Sequence, residues 1–92
     1  MYKYLTEVNF EKNSLEYKNI LVKLGKNIKH HRIEQDYSLT DVSVMTDIST
    51  SYLSKLENGK APKPSVYTFL KICIAIKMEP RLLFNKVNLF LL

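Results

Sequence analysis

The spacing of apolar residues predicts a run of short helices between about residue 13 and residue 84. In the first helix, one stripe recurs every three or four positions and comprises Leu21, Leu24, Ile28 and Arg32. Asn13, with Glu16 three residues later, resembles a capping box and predicts a helix start at that point. Because Gly25 weakens a helix interior, a later start near Leu21 is the alternative.

A second, shorter helix is predicted over Ser38–Thr46. Ser38 and Asp41 have the spacing of a capping box, in which the serine and the acid three residues later each satisfy a backbone amide. The apolar Val42 and Met45 are expected to face inward. Asp47–Ile48 interrupts the pattern, so a turn should separate this helix from the next one.

A third helix is predicted over Ser49–Asn58, only a few residues further on. Ser49 has the position of an N-cap. The apolar positions of this helix are Tyr52, Leu53 and Leu56. Residues 58–64 contain one glycine and two prolines, which predicts a loop after the helix.

Two more helices complete a prediction of an all-α fold with five helices. Ser65 starts the fourth, which runs to about Ile76, and Pro80 suits the first turn of a last helix over Arg81–Phe84. The predicted organisation is an N-terminal extension (1–17), a helical domain (18–85) and an apolar tail (86–92). In the extension, alternate positions predict a short strand: Tyr2, Tyr4, Thr6, Val8 and Phe10.

Composition and charge narrow the class of protein. A chain of 92 residues suits one domain with a modest core, and a hydrophobic content of 46% argues against disorder. The net charge of +5 agrees with a nucleic-acid partner, although a basic surface alone would explain it. The single Cys73 lies in an apolar run, which predicts an inert buried thiol. No signal peptide or membrane span is evident, so we expect a cytoplasmic protein.

The helices Ser38–Thr46 and Ser49–Asn58 have the spacing of a helix-turn-helix. In that motif the second helix packs with one face and enters the DNA major groove with the other, so its first residues must be short and polar. Leu53 and Leu56 provide the packed face. The predicted DNA-facing residues comprise the exposed positions of the helix and the phosphate donors that follow it: Ser49, Thr50, Ser51, Lys55, Asn58, Lys60 and Lys63.

The stretch Leu24–Phe84, about two thirds of the chain, contains four segments that support this interpretation. They read LGKNIKHHRIEQDYSLTDVS, STSYLSKLENGK, PSVYTFLKICIAI and PRLLF. Taken together, they resemble the Cro/repressor type of helix-turn-helix regulator, also called the xenobiotic-response-element family, and its SinR-like branch. The resemblance implies five helices, binding to an operator in double-stranded DNA as a homodimer, and repression or activation of transcription.

The resemblance also implies roles for individual residues. The positions at which family members contact bases or the DNA backbone are Thr50, Ser51, Tyr52, Lys55, Asn58 and Lys60. Arg32 and Glu57 stand where the family has an internal ion pair between the first helix and the recognition helix. A guanidinium can meet a carboxylate with two parallel hydrogen bonds, so this pair is expected to be structural.

Several positions depart from the family pattern. Family members usually have glycine where this chain has Asp36, Asp47 and Lys77, because the backbone turns left-handed just past a helix. Aspartate tolerates that conformation, whereas lysine costs about 1 kcal/mol. Ser43 replaces a preferred alanine, and Leu39 replaces a common phosphate-binding glutamine, although the SinR-like branch also shows leucine. These changes affect stability and docking more than the fold.

No other chemistry is indicated by the sequence. His30 and His31 point about 100° apart on a helix and lack ligand partners nearby. Asp36, Asp41 and Asp47 are explained by their positions at caps and turns. Because no nucleophile–base pair, glycine-rich phosphate loop or metal-binding motif is present, we predict no catalysis, no cofactor and no metal.

Three functions fit the sequence. The preferred one is a sequence-specific regulator of transcription, most simply a repressor. The alternatives are an antitoxin that represses its own operon and a protein-interaction module that has lost its operator. The expected partners are operator DNA, a second copy of the chain and a protein antagonist or toxin. The tail 87–92 either folds onto the core or forms the dimer contact, and two-fold reading of half-sites favours the contact.

Overall fold

Five helices make up the part of the chain that the computed structural model describes, residues 14–87. They are α1 (Leu15–Glu34), α2 (Leu39–Thr46), α3 (Thr50–Glu57), α4 (Val66–Ala75) and a 3₁₀ helix (Pro80–Phe84). The prediction of an all-α fold is confirmed, and no β-strand occurs within residues 14–87. The strand predicted for residues 2–10 lies outside the described residues.

The last helix differs from the expectation in type. Over its five residues the amide of Leu82 donates to the carbonyl of Glu79 at 2.9 Å, and the amide of Asn85 donates to that of Leu82 at 3.1 Å. These bonds span three residues, the pattern of the tighter 3₁₀ helix, which is typical of short pieces.

Serine side chains set the start of all four α-helices. Each accepts a hydrogen bond from the amide three residues later, at 3.0–3.2 Å; the caps are Ser14, Ser38, Ser49 and Ser65. The prediction for α1 was wrong by one residue, because Ser14 rather than Asn13 is the cap, and the alternative start near Leu21 is also wrong. The capping box of Ser38 and Asp41 is confirmed, with the Ser38 amide donating to the Asp41 carboxylate at 2.8 Å.

Gly25 lies where α1 passes closest to the end of α3. A Cβ atom at this position would overlap the carbonyl oxygen of Leu56 and would lie 2.7 Å from the carbonyl carbon of Glu57. The predicted stripe of Leu21, Leu24, Ile28 and Arg32 is buried on the same side of the helix. The glycine therefore allows α1 and α3 to pack backbone to backbone, which outweighs its low helix propensity.

The inward face of α2 differs from the prediction at one position. Val42 is buried as expected, but Met45 is 46% exposed and Thr46 is buried in its place. Val42 and Thr46 are four residues apart and share a face. The threonine hydroxyl donates to the carbonyl of Val42 at 2.7 Å and accepts from the amide of Ile48 at 3.3 Å, so its burial leaves no polar group unpaired.

The residues that replace glycine at helix ends adopt the left-handed backbone. Asp36, Asp47 and Lys77 have φ values of 64°, 62° and 58°. Beyond Lys77, the amide of Met78 donates to the carbonyl of Cys73 at 2.8 Å and closes the end of α4. The side chain at position 77 therefore lies in a conformation that glycine would adopt more easily.

The core gathers the apolar faces of all five helices. Cys73 is 1% exposed, so the predicted burial of the thiol is confirmed, and burial raises its pKa. Val87, the last described residue, packs against this core, while residues 88–92 of the predicted tail lie outside the described part. No helix within residues 14–87 has both the length and the apolar character needed to cross a membrane.

Candidate nucleic-acid interface

Helices α2 and α3 are joined by a turn of three residues, 47–49, and pack against each other. The turn can be this short because Asp47 adopts the left-handed conformation and Ser49 immediately caps α3. Helix α3 also packs against α1, which leaves the opposite side of α3 facing away from the core. The arrangement presents one short helix as a projecting edge of the domain.

The two faces of α3 differ sharply in chemistry. Its buried side consists of Leu53, Leu56 and Glu57. Its exposed side begins with the hydroxyl-bearing residues Ser49, Thr50 and Ser51 and continues to Lys55, one turn later. The hydroxyl groups can donate and accept hydrogen bonds, and the ammonium group can donate only. The structure thus brings these four predicted site residues together on one surface.

The other predicted DNA-contacting residues differ in their exposure and in whether their side chains already form hydrogen bonds. Tyr52 is half-buried and packs against the core. Asn58 is exposed, but its side-chain amide already donates to the carbonyl of Ser54 at 2.8 Å. Lys60 and Lys63 are exposed in the loop after α3, and their loop is anchored by Ala61, which is buried. The anchored loop holds both lysines beside the end of α3.

Charge on this surface is uncompensated. Within residues 14–87, Lys55, Lys60 and Lys63 form no ion pair. An anion that approached α3 would therefore meet cations that no carboxylate of residues 14–87 neutralises.

A salt bridge locks the frame behind this surface. Arg32 Nε donates to Glu57 Oε2 at 2.7 Å, and Arg32 Nη2 donates to Glu57 Oε1 at 3.0 Å. Both side chains are at least nine-tenths buried. The structure brings together the two residues that the sequence analysis assigned to an internal pair, and the pair ties the end of α1 to the end of α3.

One cation near this surface was missed by the sequence analysis. Lys18, on the second turn of α1, lines a groove of about 470 Å³ together with Val22 and the loop residues Asn58, Gly59 and Lys60. The proximity depends on how α1 packs against the loop, forty residues away in the chain. No local sequence signal marks Lys18, so only the structure could reveal it.

The described part of the chain contains no cluster of metal-binding side chains. Within residues 14–87, no three histidine, cysteine, aspartate or glutamate side chains are grouped so that they could hold a metal ion. His30 lies 3.3 Å from the carboxylate of Glu34, and His31 lies 3.2 Å from the carbonyl of Lys77. Both histidines thus contact neighbouring protein groups.

Two short helices, a three-residue turn and a polar helix face backed by a buried salt bridge define a helix-turn-helix protein. Residues 28–83 match the helix-turn-helix family, and the chain belongs to this family, in its xenobiotic-response-element type.

Two curated relatives and one solved structure resemble the chain. The transcriptional regulator SlrR of Bacillus subtilis (strain 168) is 34% identical over 62 residues, which cover 67% of this chain and 41% of SlrR. The transcriptional regulator SinR of Bacillus licheniformis is 29% identical over 63 residues, which cover 68% of this chain and 57% of SinR. The chain therefore matches about half of each curated relative's length.

The solved structure is that of the restriction-modification controller protein C.AhdI from Aeromonas hydrophila. It shares 30% sequence identity with the chain and superposes with a TM-score of 0.65, over 70% of this chain and 96% of C.AhdI. The fold of the described residues is therefore that of a known helix-turn-helix domain.

Proposed function

We propose that this chain is a sequence-specific regulator of transcription that binds double-stranded DNA as a dimer and represses the genes it controls. The main observation in support of the proposal is that α3 has one buried face, packed against the domain, and one exposed polar face. Leu53, Leu56 and Glu57 fix the helix against the domain, and the opposite side offers short polar groups and one lysine.

In the proposed complex, the N-terminal end of α3 enters the major groove. Thr50 and Ser51 approach base edges, and Lys55 donates to the acceptors on guanine, since lysine pairs well with the O6 and N7 atoms of that base. Tyr52, being half-buried, supports the helix from behind and contributes its exposed edge. The backbone amide groups at the start of α3, next to Ser49, favour binding of a DNA phosphate there.

Contacts to the DNA backbone come from both sides of α3. Lys60 and Lys63 lie in the loop that follows it, and Lys18 projects from α1 beside that loop. Asn58 already bonds within its own helix, so we assign it the role of holding the loop as well as that of a phosphate donor. Phosphate contacts of this kind set the position of a protein on DNA, while the base contacts carry the sequence information.

A dimer is proposed because two-fold symmetric operators are read by two-fold symmetric proteins. Helix α4 exposes Val66, Leu70 and Ile74, which are 73%, 40% and 79% exposed. These residues recur every fourth position and so form one stripe, which can pack against the same stripe of a second copy.

The stripe alone is smaller than a standard interface, which buries about 800 Å² on each partner. Helix α2 packs against α4 and exposes Val44 and Met45, and we include these residues in the contact. The alternative contact through the tail 87–92 remains a prediction from the sequence.

The names of the relatives support this proposal. SlrR and SinR are transcriptional regulators, and C.AhdI is a restriction-modification controller protein. Repression is the simplest outcome of operator binding, since a bound dimer excludes other proteins from the same stretch of DNA.

Selection of bound sites from random duplex DNA tests the proposal. The full chain should enrich a palindromic motif whose half-sites are about one helical turn, roughly 34–36 Å, or a multiple of it apart. Lys55→Ala should flatten the preference at one base pair in each half-site, whereas Lys71→Ala on α4 should enrich the unchanged motif. If no sequence is enriched at any salt concentration, the proposal fails and an interaction module that has lost its operator takes its place.

A further inference from the structure

A groove on α1 carries positive charge that the proposed DNA contacts do not use. It has a volume of about 470 Å³ and runs between α1 and residues 85–86. Its cations are Lys23, Lys26, Lys29 and Lys86. Its apolar component is Ile33, which is 56% exposed.

The groove lies to one side of the line along which α1 meets the recognition helix. Gly25 marks the line along which α1 meets the end of α3. At 100° per residue, the groove residues of α1 lie at increasing angles around the helix from Gly25: Lys29 at about 40°, Ile33 at about 80°, Lys26 at about 100° and Lys23 at about 160°. A ligand held mainly by Lys23 and Lys26 would therefore lie a quarter turn or more around α1 from the contact with α3.

The wall of the groove is held in place by Asn27. Its side-chain amide donates to the carbonyl of Leu83 at 2.9 Å and to the carbonyl of Asn85 at 2.9 Å. The amide of Val87 closes the following turn by donating to the carbonyl of Phe84 at 3.0 Å. These bonds fix Lys86 against α1, so the groove needs no rearrangement before a ligand enters.

The lysines of the groove have no partner within the described part of the chain. Lys23, Lys26, Lys29 and Lys86 form no ion pair with residues 14–87. The neighbouring carboxylate of Glu34 is already paired with His30. Lysines three positions apart on a helix repel each other, and an anionic partner would relieve that repulsion.

The exposed isoleucine decides between two kinds of anion. A DNA or RNA backbone offers phosphates and no aliphatic surface to cover Ile33. An acidic peptide can offer carboxylates to the lysines and an aliphatic side chain to Ile33 at the same time. The combination of several lysines with an exposed aliphatic residue therefore favours a protein ligand.

We propose that this groove binds an acidic segment of a partner protein in which glutamate or aspartate alternates with aliphatic residues. The site goes beyond the proposed reading of DNA and does not depend on it. Because Lys23 and Lys26 lie a quarter turn or more around α1 from the contact with α3, the chain can hold the acidic segment and a duplex simultaneously. Such a site would let a protein that is bound at an operator recruit or respond to a second protein.

Binding of a fluorescein-labelled synthetic peptide to the full chain tests the proposal. The peptide is rich in glutamate and carries leucines one helical turn apart. The variant Lys23→Gln/Lys26→Gln/Lys86→Gln should weaken peptide binding about tenfold, the loss expected from three exposed charge contacts. The control Lys55→Gln/Lys60→Gln/Lys63→Gln has the same net charge and should bind the peptide within about twofold of the unaltered chain.

Two further measurements identify the ligand class. Ile33→Ser should weaken binding of the leucine-containing peptide. Binding of a control peptide, in which serine replaces leucine, should be the same for Ile33→Ser as for the unaltered chain. Duplex DNA should bind the groove variant normally and the control variant weakly. If both triple variants weaken peptide binding equally, the peptide is attracted by net charge alone and the proposal is overturned. Weaker DNA binding by the groove variant, with peptide binding unchanged, would assign the groove to the DNA backbone and overturn it as well.

Failure here is distinguishable from failure of the proposed function. One outcome is that site selection enriches no DNA motif while the groove variant still binds the peptide more weakly than the unaltered chain does. In that case the proposed DNA-binding function fails and the proposal for the groove is supported. Circular dichroism melts of all variants show whether each one folds, and the side chains of these lysines form no hydrogen bond or ion pair with residues 14–87.

Discussion

Arg32 and Glu57 join three segments of the fold through one guanidinium group. Two of its nitrogens donate to the carboxylate of Glu57, and the third, Nη1, donates to the carbonyl of Tyr37 at 2.8 Å. Since Tyr37 precedes α2, the group connects the end of α1, the entrance to α2 and the end of α3. The orientation of the recognition helix thus depends on a buried pair that no DNA contact needs to touch.

Glu57→Ala should unfold the domain rather than weaken it locally. Removing one partner of a buried pair leaves the other charge uncompensated, which typically costs about 3–5 kcal/mol. That is a large part of the roughly 5–15 kcal/mol that stabilises a folded domain. Thermal melts followed by circular dichroism measure the loss, with the exposed Glu34→Ala as control. A Glu57→Ala protein that melts within a few degrees of the unaltered chain would contradict this prediction.

Lys60→Ala should weaken DNA binding and reduce its dependence on salt. Each phosphate contact releases counterions, and its loss lowers the slope of log affinity against log salt by roughly 0.9. Lys71→Ala is the control, since Lys71 lies on α4, 5.5 Å from the ring of Tyr67. Fluorescence anisotropy at several salt concentrations gives the slope. An unchanged slope for Lys60→Ala would remove the loop from the DNA contact.

Gly25→Ala should destabilise the domain even though alanine favours a helix by about 1 kcal/mol. The new methyl group would meet the backbone of Leu56 and Glu57, which cannot move aside without displacing the end of α3. Overpacking of this kind costs about 1–3 kcal/mol or more. Urea unfolding measures the difference, and Lys26→Ala, on the exposed side of α1, is the control. A more stable Gly25→Ala protein would mean that α1 and α3 can separate freely.

Ile74→Asp should convert the proposed dimer into a folded monomer. The charge would be placed within the contact between two copies of α4, whereas in the monomer Ile74 is 79% exposed and can be replaced without disturbing the core. Light scattering gives the mass, and Phe84→Asp, on the exposed side of the 3₁₀ helix, is the control. A dimer that survives in Ile74→Asp would place the interface elsewhere, for example at the tail.

Cys73 should make stability fall at alkaline pH. Burial raises the pKa of this thiol in the folded chain, so its contribution is complete below the ordinary thiol pKa of about 8.5. As the pH rises further, the unfolded chain ionises first and the contribution is progressively lost. Urea unfolding between about pH 8 and pH 10 should show a steeper loss for the unaltered chain than for Cys73→Ala. Equal slopes would indicate that the thiol ionises equally well in both states.

The helix starts could be predicted from sequence because their causes are local. Ser38, Ser49 and Ser65 each bond an amide only three residues away, so a four-residue window contains the whole interaction. The left-handed residues Asp36 and Asp47 were predictable for the same reason, since each follows directly on a helix. Local chemistry thus determined where the helix-turn-helix begins and where it turns.

The cap of α1 was wrongly assigned between the adjacent residues Asn13 and Ser14, which is a local error, but the other differences arose where tertiary contacts decide. An eight-residue helix can bury either of two neighbouring stripes, and the packing of α2 against α3 and α4 selects the stripe that contains Val42 and Thr46. The role of Gly25 depends on the backbone of α3, thirty residues away. The pairing of Arg32 with Glu57 was expected only from the family resemblance, because 25 positions separate the two residues.

The four serine caps also bear on how quickly the domain forms. Each helix start is encoded within a few residues, and successive helices such as α2 and α3 pack directly on one another. Helical domains dominated by such short-range contacts fold on the order of microseconds to milliseconds, because little chain entropy is lost before the first contacts form. A chain that dissociates from its partner and unfolds should therefore refold before it can aggregate with another unfolded chain. Rapid refolding thus maintains the fraction of the protein that is able to bind.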